Sequence, residues 1–399
     1  MKILFYRYGS ICEPDIIEGF EELGHTVSQI TEEITNKNLV FGDSARIVSS
    51  YLLEYPHDCV FTVNFFPVIS DVCNIFKIPY ICWTVDSPVM ELFAKSIQNP
   101  CNRIFLFDLA QYHEIAPLNP GHVFHFPLAV NVKGKQQAIQ NASSEELAHF
   151  SSDISFVGSL YTEKCPYDKL TSPPEYLLGY LNGLIEAQLK VYGYYFIDDL
   201  LTDEIVTSFK EHLPNFYTYP METFLTDKIT TSQLYIGNKI TAVERMRTMA
   251  ILSEHFDIDL YTGSDTTMLP KVHNRGFAKS LTEMPIIFHE SKINLNPTSK
   301  SIRSGLPQRI FDIMGCGGFV LTNYQPELPE IFQIGSEVIA YSSLEELKEL
   351  TGYYLEHEKE RREIAHNGYE KVAREYNYPI RLEQMLQLAF SIYQKTKNL

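Results

Sequence analysis

The sequence lacks an excess of basic charge. Its 399 residues carry 33 Lys and Arg against 50 Asp and Glu, a net charge of −17. A protein that neutralises a phosphate backbone needs the opposite sign, so nucleic acid is excluded as a main partner. Long apolar runs are also missing. None approaches the roughly 18 residues that span a bilayer, so no membrane span is expected. The seven cysteines show no C-x-x-C pair and no regular framework, which suits a reducing, cytoplasmic setting. Repeats and low-complexity tracts are absent. The opening MKILFYRYG is too short an apolar run for a signal-peptide core. Asn141-Ala142-Ser143 matches a glycosylation sequon but carries no meaning in that compartment.

What is present is a globular composition, 45 % hydrophobic, long enough for two cores. Residues 3–8 (ILFYRY) read as a buried strand. The helical pattern 14–23 follows, with Pro14 in its first turn and Gly24 after its end, and His25-Thr26-Val27 opens the next strand. Strand-like runs recur at 59–64, 79–85, 103–108 and 122–130. They are apolar throughout rather than alternating, the mark of a parallel sheet covered on both faces. The polar stretch 131–150 reads as a linker. A second series begins at 153–161 and passes through a helical insertion to about residue 235. A helix (241–254) and the strands 256–263, 292–296, 319–322 and 337–341 follow, then the helix 344–358. The expectation is two doubly wound α/β domains facing a cleft, 1–140 and 150–375. An amphipathic C-terminal helix, 376–399, packs back on the first domain. Ligands of such sheets bind at the carboxyl ends of the strands, near the loops after residues 8, 85, 158, 262 and 296.

The stretch 301–323, SIRSGLPQRIFDIMGCGGFVLTN, concentrates the chemistry. Leu306, Ile310, Ile313 and Met314 form an apolar stripe at helical spacing, with Gln308, Arg309 and Asp312 on the other side. Pro307 fits the first turn. A helix beginning here offers free N–H groups and a partial positive charge to an anion, with Lys300 and Arg303 adding full charges. Gly305, Gly317 and Gly318 allow close backbone approach. Asp312 would suit a neutral polyol. A nucleoside diphosphate has both an anionic pyrophosphate and a ribose diol. A plain structural account is equally open: Arg309 and Asp312 as a surface ion pair, the glycines as a helix end.

The run from KINLNPTSKSIRSGLPQRIFDIMGCGGFVLTN to EIAHNGYEKV, within about residues 285–376, resembles the C-terminal domain of CgeB-like glycosyltransferases of GT-B fold. IPYICWTVDSPVM (78–90) and the FLFD and FPLAV strands resemble the N-terminal domain of the same family. The resemblance implies sugar transfer from a nucleotide-sugar, UDP favoured, to an unknown acceptor such as a protein, glycan or cell-surface or spore component. The second domain would hold the donor and the first the acceptor. It also implies that Asp312 stands where retaining GT-B enzymes place the acid that binds the donor ribose. Eight positions earlier, where a first acid contacts the donor sugar, this chain has Ser304. Gly317 and Gly318 match the glycines placed at the diphosphate and sugar. Gly158 matches a glycine against the donor phosphates, with Lys164 the nearest counterpart of a basic residue there.

Asp86, in WTVDSP, ends a strand. It is either a turn residue before Pro88 or the general base for an acceptor hydroxyl. The DID at 257–259 lies in a strand and reads as structural. His122 and His125 face opposite ways on a strand, so they do not share a metal. The sequence therefore points to a metal-independent, cofactor-free glycosyltransferase. Arg303 and Asp86 are the catalytic candidates; Gly158, Lys300, Arg303, Gly305, Gln308, Arg309, Asp312, Gly317 and Gly318 are the donor-binding ones. A nucleotide-sugar epimerase on the same fold and a non-catalytic nucleotide- or sugar-binding protein are the alternatives.

Overall fold

A computed structural model describes residues 1–37 and 39–397, with side chains through residue 391. Residues 398–399 of the expected C-terminal helix lie outside the described residues. The chain divides into two units. Unit 1 comprises Met1–Asn131, Tyr219–Leu225 and Glu375–Leu399; unit 2 comprises Val132–Thr218 and Thr226–Arg374.

Unit 1 holds a six-stranded sheet of β1 (Lys2–Tyr6), β2 (Thr26–Ile30), β3 (Cys59–Val63), β4 (Tyr80–Trp83), β5 (Asn102–Leu106) and β6 (Val123–His125). Their order is β2-β1-β3-β4-β5-β6, and every pairing is parallel. β1, β3, β4 and β5 are buried almost end to end, as apolar strands covered on both faces must be. The chain builds outward from β1 to β2, then reverses to β3, so the strand order switches between β1 and β3. The C-terminal helix Tyr378–Lys397 belongs to this unit. Tyr378 meets Trp83 edge-on at 5.9 Å, and Trp83 meets Phe126 at 5.6 Å. A Cβ on Gly19 would lie 2.8 Å from the Leu382 Cδ1, so the first helix approaches the last one through a missing side chain.

Unit 2 repeats the plan with β7 (Ser152–Val157), β8 (Ile258–Tyr261), β9 (His273–Asn274), β10 (Ser291–Asn296), β11 (Val320–Asn323) and β12 (Ile339–Tyr341). The order is β12-β11-β10-β7-β8-β9, again all parallel. Here the order switches between β7 and β10. Ile154, Leu260, Ile293 and Leu321 are buried in the sheet's core, while the insertion packs its own cluster of Leu181, Ile197, Phe209, Ile236 and Ile240.

The structure departs from the sequence reading in three places. Residues 131–150 form two helices of unit 2, Val132–Gln140 and Ser144–Phe150, where a linker was expected. The second opens on a reciprocal capping box between Ser143 and Glu146, a Ser-x-x-Glu signal present in the sequence. The segment Tyr219–Leu225 leaves the insertion and joins unit 1 by an antiparallel bridge, Thr223 to Ala94. Asp257 stands outside β8, so only Asp259 of the DID is in the strand, where it accepts from Arg275 Nε at 2.8 Å.

All seven cysteines are free thiols. Burial pushes Cys59, Cys101 and Cys165 up to about 12 and raises Cys73 and Cys82 as well. Folded values above the ordinary 9.0 mean that their contribution to stability is complete below about 9 and is lost as pH rises through about 12. Ellman titration at about pH 8.5 therefore leaves these five unreacted in the native protein and modifies them once denatured. Rapid native reaction of all seven would contradict the burial.

Candidate functional site

The switch point of unit 2 lies between β7 and β10, where successive loops leave in opposite directions and open a crevice. The loop after β7 begins at Gly158, whose N–H donates to the Tyr261 carbonyl at 3.0 Å. Glu163 ties this loop to the one after β8. It accepts from Ser159 Oγ at 2.6 Å and from Ser264 Oγ at 2.7 Å, and Ser264 Oγ in turn accepts from Leu160 N at 2.8 Å.

Arg245, on the helix Gly237–Ser253, joins the two sides of the switch point. It donates to the Ser159 carbonyl at 2.6 Å and twice to the Pro297 carbonyl, at 2.9 and 3.2 Å. Its guanidinium also lies over the rings of Phe156 and Tyr161, at 5.4 and 4.9 Å. Burial pushes its pKa down, opposed by the charges of Tyr161 and Glu244. Sequence reasoning missed this residue, because nothing in its helix's pattern marks it as different from Arg247, which pairs with Glu186.

The loop from Pro297 to Pro307 is polar yet buried. Thr298 N donates to Asn323 Oδ1 at 2.6 Å, and Lys300 N to Thr241 Oγ1 at 2.9 Å. Lys300 Nζ pairs with Glu244 Oε1 at 2.9 Å and lies 4.2 Å from the centre of the Tyr192 ring. Arg303 Nη1 pairs with Asp198 Oδ2 at 3.2 Å. Gln325 Nε2 donates to the carbonyls of Ile302 and Gly305. Ser304 Oγ donates to Glu327 Oε1 at 2.7 Å, so a carboxylate from the loop after β11 stands beside the serine. The insertion thus contributes Tyr192 and Asp198 to this loop, a contribution that linear spacing does not reveal.

The helix after the loop runs Gln308–Gly315, with Pro307 at its N-cap rather than in its first turn. Ile310, Ile313 and Met314 are buried as the stripe requires. Asp312 is buried too, at 5 % exposure, which corrects its expected place on an open polar face. Its Oδ1 lies 3.6 Å from Lys135 Nζ and accepts from Gln308 Nε2 at 3.3 Å. Arg309 does not make the surface pair with Asp312; it turns to Met284 Sδ and lies 5.2 Å from the Phe288 ring centre. Gly317, at φ +74°, and Gly318 follow the helix's far end and lead into β11, so they sit at the amino edge of the sheet. A Cβ on Gly318 would lie 2.3 Å from the Phe288 carbonyl oxygen. Eight residues of helix, about 12 Å, separate these glycines from the loop, and they serve helix–strand packing rather than the cation group. Lys164 is exposed and sits over Tyr161 at 5.6 Å, the same ring that lies against Arg245.

Unit 1 carries its own polar group at its switch point. Asn64, in the left-handed region at φ 59°, follows β3. Its Nδ2 donates to Asp86 Oδ2 at 2.7 Å and to Tyr8 Oη at 2.8 Å, and its Oδ1 accepts from Val85 N at 3.0 Å. Asp86 is exposed beyond β4. Burial and then the Asp86 charge raise the Tyr8 pKa. The next loop holds Asp108, fully buried, which caps the helix Leu109–Ile115 and accepts from Ser87 Oγ at 3.3 Å. His122 contacts Arg103 at 2.8 Å, and burial followed by Arg103 lowers its pKa. Among the described residues, no three His, Cys, Asp or Glu side chains gather as a metal site would require.

A family model described as glycosyl transferase-like matches residues 242–387, less than half of the chain. No curated protein matches the chain. Among solved structures, Anabaena Alr3699/HepE in complex with UDP-glucose is 12 % identical at a TM-score of 0.55, covering 98 % of this chain and 100 % of that one. A glycosyltransferase from Rickettsia africae ESF-5 is also 12 % identical at 0.55, covering 98 % of each chain. Sucrose-phosphate synthase from Thermosynechococcus elongatus is 11 % identical at 0.54, covering 99 % and 100 %. The likeness shows the GT-B fold: two parallel six-stranded sheets with helices.

Both members of the Lys135–Asp312 pair are more than nine-tenths buried. Asp312→Asn removes the carboxylate from a buried ion pair and is expected to cost about 3–5 kcal/mol. Lys135→Met combined with Asp312→Leu recovers most of that loss. A loss below about 1 kcal/mol in chemical unfolding of Asp312→Asn, the size of a surface pair, would contradict the assignment.

Proposed function

We propose that this chain is a glycosyltransferase that moves a sugar from a nucleoside diphosphate sugar, UDP favoured, to a hydroxyl-bearing acceptor in the cytoplasm. One observation carries the reading: Arg245 reaches from its helix to the loops after β7 and β10 at the switch point, and Lys300 and Arg303 stand on the second of those loops. This group lies largely inside the segment that matches the glycosyl transferase-like family. The Anabaena structure of the same fold holds UDP-glucose, which supports the choice of donor. The sequence resemblance supports a CgeB-like member of this class, and the seven free thiols support a reducing compartment.

The cations act on the leaving group. As the bond between the sugar's anomeric carbon and the diphosphate oxygen breaks, negative charge grows on the diphosphate. Fixed guanidinium and ammonium groups in a sparsely hydrated loop stabilise that charge with little reorganisation. They fill the role for which a divalent metal is an alternative. The uncapped N-terminus of the helix Gln308–Gly315 adds its N–H groups. Asp312 accepts from the ribose through Oδ2, since Lys135 and Gln308 both engage Oδ1. Phe277, 86 % exposed beside Gly263, offers a ring on which the base stacks. Asp86 takes the proton of the acceptor hydroxyl, held for that task by Asn64.

Calorimetry tests the donor half. Arg303→Ala or Lys300→Ala weakens UDP about tenfold or more and uridine far less, because only UDP carries the charge these groups meet. Equal losses for both ligands would reject the assignment. Turnover tests the acceptor half. Asp86→Asn lowers kcat by about 10²–10⁴-fold with donor affinity retained. Unchanged turnover with a lowered melting temperature would make Asp86 a turn residue.

A further inference from the structure

A pocket of about 380 Å³ opens in unit 2 on the Glu244 side of the Lys300–Glu244 pair. Leu189 and Lys190 follow the helix Glu175–Gln188, Glu244 comes from the helix Gly237–Ser253, and Ser343 and Glu345 come from the start of the helix Leu344–Glu356. Tyr192 completes the wall. The volume is at the small end for ligand pockets and suits one sugar ring rather than a nucleotide-sugar.

Glu244 is the residue that gives this pocket a purpose. It is 2 % exposed, it lines the pocket, and its Oε2 accepts no well-aligned hydrogen bond from the described residues, although the Tyr192 hydroxyl, its pKa raised by burial and then by Glu244, stands close to the carboxylate. The ion pair of Oε1 with Lys300 offsets its charge but leaves acceptor capacity unused. A buried carboxylate in that condition is costly unless donors reach it. The Tyr341 hydroxyl, near Glu244 and T-shaped to Tyr192 at 6.0 Å, is likewise buried without a hydrogen-bond partner among the described residues. The charges around the pocket balance. Arg247 is held by Glu186 through two bonds and Lys300 by Glu244, while Lys190 and Glu345 line the wall with opposite charges. A strongly charged ligand gains little there. A neutral ligand with several hydroxyls supplies donors to Glu244 and acceptors to Lys190, and packs its C–H face on the Tyr192 ring.

We propose that this pocket binds a neutral monosaccharide through Glu244 and that its occupancy is coupled to the nucleotide through the Lys300–Glu244 pair. Hydroxyls that solvate Glu244 loosen its hold on Lys300, whose ammonium then meets the diphosphate at lower cost. By linkage, UDP strengthens sugar binding by the same factor. The coupling rests on Lys300 as a diphosphate contact, whereas sugar binding does not.

The test uses the full chain and four probes: glucose, galactose, mannose and N-acetylglucosamine. Saturation-transfer NMR reports binding, and calorimetry reports UDP affinity with and without saturating sugar. At least one sugar is expected to bind and to raise UDP affinity about fivefold or more, the low end of allosteric couplings. Glu244→Gln and the pocket-filling Lys190→Trp are expected to abolish both effects; circular dichroism establishes that each variant is folded. Lys190→Trp keeps the test decisive if Glu244→Gln fails to fold. The proposal is overturned if none of the four sugars binds or if binding survives Lys190→Trp, which would put the sugar elsewhere. An unchanged UDP affinity with sugar bound overturns the coupling. If UDP itself does not bind, the donor assignment fails, while sugar binding and its loss in Lys190→Trp still decide the pocket.

Discussion

The loop between β10 and the helix Gln308–Gly315 is built from Thr, Ser, Lys and Arg, yet Thr298, Ser299, Lys300, Ser301 and Ser304 are all buried. Polar groups removed from water must find partners inside the protein. That requirement organises unit 2. Asn323 and Gln325 reach over from the end of β11, Thr241 and Glu244 from one helix, Asp198 from the insertion, and Glu327 from the next loop. A loop held at so many points keeps its cations in place before any ligand arrives. In this respect the insertion is part of the site rather than an ornament on the fold.

The same constraint explains the buried ion pairs. Lys300 and Arg303 stay charged in a poorly solvated loop because Glu244 and Asp198 stand beside them. On the proposed reading a diphosphate joins this existing network rather than replacing the acids, so its affinity would depend on how tightly the acids hold the cations. Arg245 differs: backbone carbonyls of Ser159 and Pro297 hold it, which keeps its full charge without a carboxylate contact.

Much of the architecture is legible in the sequence. Apolar strands separated by helical patterns announce parallel sheets, and Ile310, Ile313 and Met314 announce the buried face of their helix. Less legible is anything that depends on a distant partner. Asp312 looks like a polar-face residue until Lys135, far away in the chain, is seen beside it. Gly317 and Gly318 follow the right helix, but an eight-residue helix carries them to the opposite edge of the sheet. Arg245 has no local signature because its role arises from carbonyls of two separate loops. Residues 132–150 show the converse, since Ser143 and Glu146 spell a capping box that average polarity conceals.

The central claim is that a nucleoside diphosphate is held at the β7–β10 switch point of unit 2 by Arg245, Lys300 and Arg303. A crystal structure of the chain with UDP tests it most directly. The account predicts diphosphate oxygens within roughly 2.7–3.2 Å, hydrogen-bond distance, of at least two of these three side chains and of backbone N–H groups in the loops after β7 and β10. Diphosphate density at the amino edge of the sheet, beside Gly317 and Gly318, or ordered UDP away from all three cations, would contradict it.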